Sequence, residues 1–136
     1  MKTRRLSLSQ GDACPCGLPQ VYGACCAQWH EGPLYLQAPD ALALMRSRYC
    51  AFVLARHDYL LATWHPTTRP LTIEPDPPGL RWLGLEIKSH HLVDDDHATV
   101  EFVARHKQDG RAQRLHELSR FERSAGRWLY VDGTLR

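Results

Sequence analysis

Ala98-Thr99-Val100-Glu101-Phe102-Val103-Ala104-Arg105-His106-Lys107-Gln108-Asp109-Gly110-Arg111-Ala112-Gln113-Arg114-Leu115-His116-Glu117-Leu118-Ser119-Arg120-Phe121-Glu122-Arg123 is the stretch that decides the fold. Apolar residues recur with a period near two, which is the spacing of a strand with one buried face. Gln108-Asp109-Gly110 breaks the run and marks a turn, so residues 98–107 and 113–123 read as an antiparallel hairpin. Two more strand candidates flank it, about residues 80–93 and 127–132. Asp94-Asp95-Asp96 and Ser124-Ala125-Gly126 are the separating turns. Upstream the period changes to 3.6. After Pro39, residues Leu42, Met45, Tyr49, Phe52 and Val53 share one helical face, and Asp40 suits the N-terminus of that helix. A second short helix is expected from about Asp58 to Thr63, with Asp58 as its cap and Trp64-His65-Pro66 ending it. Between helices and strands lie five prolines within residues 66–79, read as loop with a short edge strand at Leu71-Thr72-Ile73. Helices followed by an antiparallel meander make an α+β plan, with helices on one face of a curved sheet.

The second strong signal is local. Four of the five cysteines are Cys14, Cys16, Cys25 and Cys26, in the arrangement Cys14-Pro15-Cys16 and Cys25-Cys26. Thiols gathered this closely can converge on one metal, and tetrahedral zinc is the ion that most naturally takes four thiolates. Gly17 can take positive φ and turn backbone N–H groups toward the sulfurs. Cys25 and Cys26 open a short helix through Trp29 and His30, and ligation by both needs a local bend. His30 stands four residues beyond Cys26 and is the alternative fourth ligand; a metal-free cluster is the remaining reading. A site with four protein ligands has no open position and is structural. Cys50, inside the first helix, reads as an inert core thiol.

Composition narrows the function. The 136 residues carry 24% charged and 43% hydrophobic residues, with a formal net charge of +2. That balance suits a globular domain with a small appendage and gives no basis for nucleic-acid binding. The basic cluster Lys2-Thr3-Arg4-Arg5 reads as a solvated tail of a lead-in spanning residues 1–12. No run approaches a membrane span, and the first thirty residues lack the apolar core of a signal peptide. The expected location is the cytoplasm, where clustered cysteines are more often metal ligands than disulfides.

Cys14-Pro15-Cys16-Gly17 with Tyr22 and Cys25-Cys26 resembles the SEC-C zinc motif, known from the C-terminal tail of the preprotein-translocase motor ATPase. The motif's usual Gly-Ser-Gly-Lys run is replaced here by Gly17-Leu18-Pro19-Gln20. The rest of the chain resembles the YchJ-like family of uncharacterised bacterial proteins. The likeness rests on Ala43-Leu44-Met45-Arg46-Ser47-Arg48-Tyr49, Tyr59-Leu60-Leu61-Ala62-Thr63-Trp64-His65-Pro66 and Trp82-Leu83-Gly84-Leu85. It continues through Val100 to Arg105, His116 to Phe121 and Trp128 to Gly133. The resemblance implies an NTF2-like cone over residues 33–136, behind a SEC-C-like zinc module over residues 1–32. It also implies one structural zinc ion on Cys14, Cys16, Cys25 and Cys26.

The function expected is that of a cytoplasmic zinc-binding adaptor whose knuckle makes protein contacts. A chaperone or the ribosome is the partner class by analogy with the motif, and a homodimer is plausible from the fold. The alternative is a small enzyme with acid/base chemistry in the cone. Its candidate groups are Glu101, His116 and His65, with Glu117, Arg120 and Asp132 nearby in sequence. Glu117 and Ser119 share one strand face; His116 and Arg120 share the other. The plainer expectation for these groups is a buried ion pair between Arg46 or Arg48 and Glu101 or Glu117. Trp29, Trp64, Trp82 and Trp128 are expected in the core. No phosphate-binding loop, dinucleotide fingerprint or nucleophile elbow occurs.

Overall fold

Apolar alternation produces the element that organises the chain, a four-stranded antiparallel sheet in the order β1-β2-β3-β4. The computed structural model describes residues 8–136; the basic cluster Lys2-Thr3-Arg4-Arg5 lies outside the described residues. The strands are β1 (Leu80–Asp94), β2 (His97–Gln108), β3 (Arg111–Ser124) and β4 (Arg127–Leu135). Among the described residues three α-helices precede them: α1 (Ala27–His30), α2 (Ala41–Val53) and α3 (His57–Ala62). The expected α+β plan is the observed one. No strand forms at Leu71-Thr72-Ile73. Leu71 is fully exposed there, and none of the four strands of the described sheet lies alongside to pair with it.

The sheet has two unlike faces. Val100 pairs with Ser119, Phe102 with Glu117, and Ala104 with Leu115, so these side chains share the inner face. Register shifts interrupt β1 between Trp82 and Gly84, between Ile87 and Ser89, and between Leu92 and Asp94; the β3–β4 pairing shifts between Arg120 and Phe121, where Val131 of β4 is skipped. Such shifts bend strands and increase twist, which curls the sheet around the helices.

Helix α2 forms because Asp40 caps it: the carboxylate accepts a hydrogen bond from Ala43 N–H at 2.7 Å. Asp58 does not cap α3. Arg56 holds that position, and Asp58 lies in the first turn, where its charge still suits the dipole. Helix α2 is buried on two opposite sides. Leu44, Met45 and Tyr49 pack with Val100, Phe102 and Phe121 of the sheet. Cys50 and Leu54 pack with Cys14, Cys16, Tyr22 and Cys26 of the N-terminal module.

Polar contacts lock that second side. Arg46 Nη1 donates to the Cys16 carbonyl at 3.0 Å. His30 Nε2 donates to the Ser47 carbonyl at 2.9 Å; since a carbonyl only accepts, His30 is the neutral Nε2–H tautomer. Its Nδ1 therefore accepts from the Tyr22 hydroxyl at 2.6 Å. Burial drives the His30 pKa down to about 4. The Ser47 hydroxyl donates to the Leu44 carbonyl, so at 2.7 Å the Tyr59 hydroxyl must donate to Ser47.

Asp40→Ala should cost about 1 kcal/mol in urea unfolding, and Asp40→Asn should restore most of it. His30 is held neutral in the fold but protonates near 6.5 when unfolded. Its contribution is complete above that value and is lost as pH falls toward 4, by at most about 3 kcal/mol. His30→Gln should be less stable than wild type at pH 7 yet lose less on acidification. Parallel stability–pH curves for the two proteins would refute the assignment.

Candidate metal centre and cone cavity

The N-terminal module is built to turn thiols inward. Gly17 takes φ +93°, and its N–H closes a turn on the Cys14 carbonyl at 3.2 Å. The chain then returns alongside itself: Cys14 N–H reaches the Gln20 carbonyl at 3.0 Å, and Ala13 bridges Val21. A 3₁₀ turn at Tyr22–Ala24 follows. Cys25 interrupts the helical path with φ −129° and ψ −114°, and Cys26 then enters α1 in helical geometry. The bend required between the two neighbouring cysteines is therefore present.

The sulfurs of Cys14, Cys16, Cys26 and Cys50 all lie within 4.8 Å of one another, and all four residues are buried. Cys14 Sγ stands 3.5 Å from Cys50 Sγ. Cys25 Sγ lies beside this group, 3.7 Å from Cys16 Sγ. This set differs in one thiol from the sequence expectation, with Cys50 in place of Cys25. Cys50 is not an isolated core thiol. It follows Arg46 by one helical turn, and both residues face the module. That shared stripe on α2 was visible in the sequence; what it faced was not. His30 stays outside the group, because both ring nitrogens are committed to Tyr22 and Ser47.

The electrostatics suit a cation. Thiol donors from Cys16, Cys26 and Cys50 around Cys14 push its pKa far below the ordinary thiol range. Hydrogen bonding to Cys14 and Cys16 in turn pushes Cys26 and Cys50 far upward. Cys16 is also lowered, to about 6: its neighbour Cys14 opposes this, but hydrogen bonds from Cys26 and Cys50 outweigh it. Two neighbouring sulfurs thus favour the thiolate form and repel each other in a buried site. A metal ion removes the conflict, and four sulfurs this close fit one.

The second candidate region is a cavity of about 170 Å³ between α2 and the inner face of the sheet. Met45, Arg48, Tyr49 and Phe52 line it from the helix; Trp82, Phe102, Glu117 and Tyr130 line it from the strands. Trp64 also lines it, and its chain is tied to β4 by Tyr130 N–H to the Thr63 carbonyl and His65 N–H to the Tyr130 carbonyl, both at 2.8 Å. Arg48 is buried, and burial lowers its pKa to about 10, which leaves it charged at neutral pH. Its guanidinium carbon sits 4.9 Å from the Trp64 ring centroid and 4.6 Å from that of Tyr130. Nη1 donates to the Leu60 carbonyl at 2.9 Å and to Thr63 Oγ1 at 2.7 Å. Glu117 Oε2 accepts from the Ser119 hydroxyl at 2.6 Å and the Tyr130 hydroxyl at 3.0 Å.

The sequence candidates for acid/base chemistry lie elsewhere. Glu101 and His116 pair with each other at 2.7 Å. Both occupy the sheet face opposite the cavity, because the core-facing parity belongs to Val100, Phe102 and Glu117. Asp132 and Arg120 form a two-pronged exposed pair at 2.7 Å for each bond. His65 accepts from Thr67 through Nδ1 and approaches Glu122 at 3.6 Å. Glu117 is the carboxylate that reaches the cavity. The expected ion pair between Arg48 and Glu117 or Glu101 is not among the salt bridges of the described residues; Glu101 is taken by His116. Arg46 instead holds the Cys16 carbonyl. Trp128 is buried in the core, while Trp64 and Trp82 border the cavity.

Comparison with known proteins agrees with this architecture. Residues 40–133 match the family described as YchJ, middle NTF2-like domain. A UPF0225 protein of Bordetella parapertussis is 63% identical over 124 residues, covering 91% of this chain and 93% of the relative. A UPF0225 protein of a Polaromonas species is 53% identical over 137 residues, covering 96% and 98%. Two solved structures are similar, both of SEC-C motif containing proteins. The solution structure from Rhodopseudomonas palustris has a TM-score of 0.76 at 32% identity, covering 89% of this chain and 96% of that one. The crystal structure from Psychrobacter arcticus has a TM-score of 0.77 at 30% identity, covering 93% and 84%. With its curved antiparallel sheet, its helices on the inner face and its cysteine cluster at the N-terminus, the chain belongs to the YchJ-like, UPF0225 family and carries the NTF2-like domain of that family.

Proposed function

We propose that this is a zinc-stabilised binding protein whose SEC-C-like knuckle makes a protein contact. The observation that carries the reading is the convergence of four buried thiols within 4.8 Å. Sulfurs around a tetrahedral zinc stand about 3.8 Å apart at ordinary Zn–S distances, and the Cys14–Cys50 separation of 3.5 Å is near that value. Zinc would be held by Cys14, Cys16, Cys26 and Cys50, with Cys25 as the adjacent fifth thiol. When bound, the ion neutralises thiolates that otherwise repel one another. All four positions are then filled by protein, so its role is structural. Five cysteines without a disulfide suit a reducing compartment, and the cytoplasm is the location we assign.

The adaptor reading draws support from the loop between Cys16 and the 3₁₀ turn. Leu18 and Val21 are exposed there on a segment too short to fold alone. Exposed apolar side chains on a metal-braced loop suit contact with a protein, for which a chaperone or the ribosome is the proposed class. An enzymatic alternative in the cone would have to act through Glu117, since Glu101, His116 and His65 lie outside the cavity.

Metal analysis of protein purified without chelator should give about one zinc per chain. Cys50→Ser should lower that content sharply, while Cys25→Ser should keep it. The reverse pattern would assign the fourth ligand to Cys25, and full zinc in a Cys14→Ser, Cys16→Ser double variant would sink the site. For the adaptor role, Leu18→Asp with Val21→Asp should retain zinc but lose co-purification and co-sedimentation with ribosomes. Unchanged capture by this variant would show that the knuckle loop is not the contact.

A further inference from the structure

Arg48 is a charged group with no ionic partner in an aromatic chamber. It is 3% exposed, and none of the salt bridges among the described residues includes it. Removing a guanidinium from water without a carboxylate in direct contact is costly, and stacking over Trp64 and Tyr130 offsets only part of this. Its hydrogen bonds to Leu60 and Thr63 all run through Nη1. Two edges of the guanidinium fork, at Nε and Nη2, have no protein acceptor among the described residues, and the side chain borders the cavity. Glu117 shares the chamber, yet its Oε2 is held on the strand side by Ser119 and Tyr130. The Trp64 indole N–H is also buried without an acceptor.

We propose that the cavity binds a small monocarboxylate with an aromatic body, whose carboxylate is the missing partner of Arg48. A fork-shaped guanidinium matches a carboxylate with two parallel hydrogen bonds. The volume of about 170 Å³ suits a single ring, since a cavity of about 150 Å³ accommodates benzene. Tyr49, Phe52, Trp82 and Phe102 supply apolar walls for that ring. Glu117 also lines the cavity, behind the Tyr130 hydroxyl, and a carboxylate there disfavours a second negative charge on the ligand, so a monoanion fits better than a dianion such as a phosphate monoester. This site shares no residue with the thiol cluster and does not depend on the adaptor reading.

Calorimetric titration of the full chain as purified with phenylacetate, phenylacetamide and inorganic phosphate tests the proposal. Phenylacetate should bind at least about ten-fold more tightly than its neutral amide, and phosphate should not compete. Arg48→Met should abolish the preference for the acid. Because Arg48 also braces Thr63, a second variant is needed: Leu115 also lines the cavity, and Leu115→Trp, confirmed folded by circular dichroism, should fill the chamber and weaken phenylacetate at least about ten-fold. Equal affinity for acid and amide would mean that Arg48 is neutralised across the cavity by Glu117 through water. That result overturns the proposal, as does no detectable binding of phenylacetate or unchanged affinity in the Leu115→Trp protein.

Discussion

Helix α2 is buried on two opposite sides, and the remainder of the molecule is arranged around that constraint. A surface helix buries one stripe; α2 buries two, and the second is polar and sulfurous. Met45, Arg48, Tyr49 and Phe52 look into the cone. Arg46, Ser47 and Cys50 look toward the N-terminal module, through a carbonyl, a histidine and three thiols. A helix loaded this way cannot shift along one partner without breaking its match to the other.

The module and the cone are therefore coupled through contacts rather than joined by a tether. The boundary expected near residue 32 falls between segments that share a core, since Cys50 and Leu54 pack with Cys14, Tyr22 and Cys26. A short, glycine- and proline-rich segment has little apolar area of its own. It holds its form by leaning on α2, by the Tyr22–His30–Ser47 chain of hydrogen bonds, and by whatever cation the thiols take. The cone has its own buried polar feature: the guanidinium of Arg48 lies across Trp64 and Tyr130, while the Tyr130 hydroxyl faces Glu117. One tyrosine thus separates the two charges of the cavity.

Much of this was legible from periodicity. Alternation along residues 80–132 placed four strands within a few residues of their ends, and Asp40 marked the start of α2. These signals are local, set by backbone geometry and by the nearest turn. The edge strand at Leu71 failed because propensity without a neighbouring ladder stabilises nothing. Glu101 was misplaced for a related reason: parity along β2 shows that Glu101 and Phe102 face opposite ways, but not which side the helices cover.

The sequence by itself determined the α+β class, the strand order implied by short hairpins, and a thiol cluster close enough to seize one ion. Each follows from interactions between residues a few positions apart. Only the tertiary structure decided that Cys50 joins Cys14, that Arg48 forms no salt bridge among the described residues, and that His116 pairs with Glu101 outside the cone. Those outcomes depend on the angle at which α2 lies across the sheet, and packing of distant side chains sets that angle.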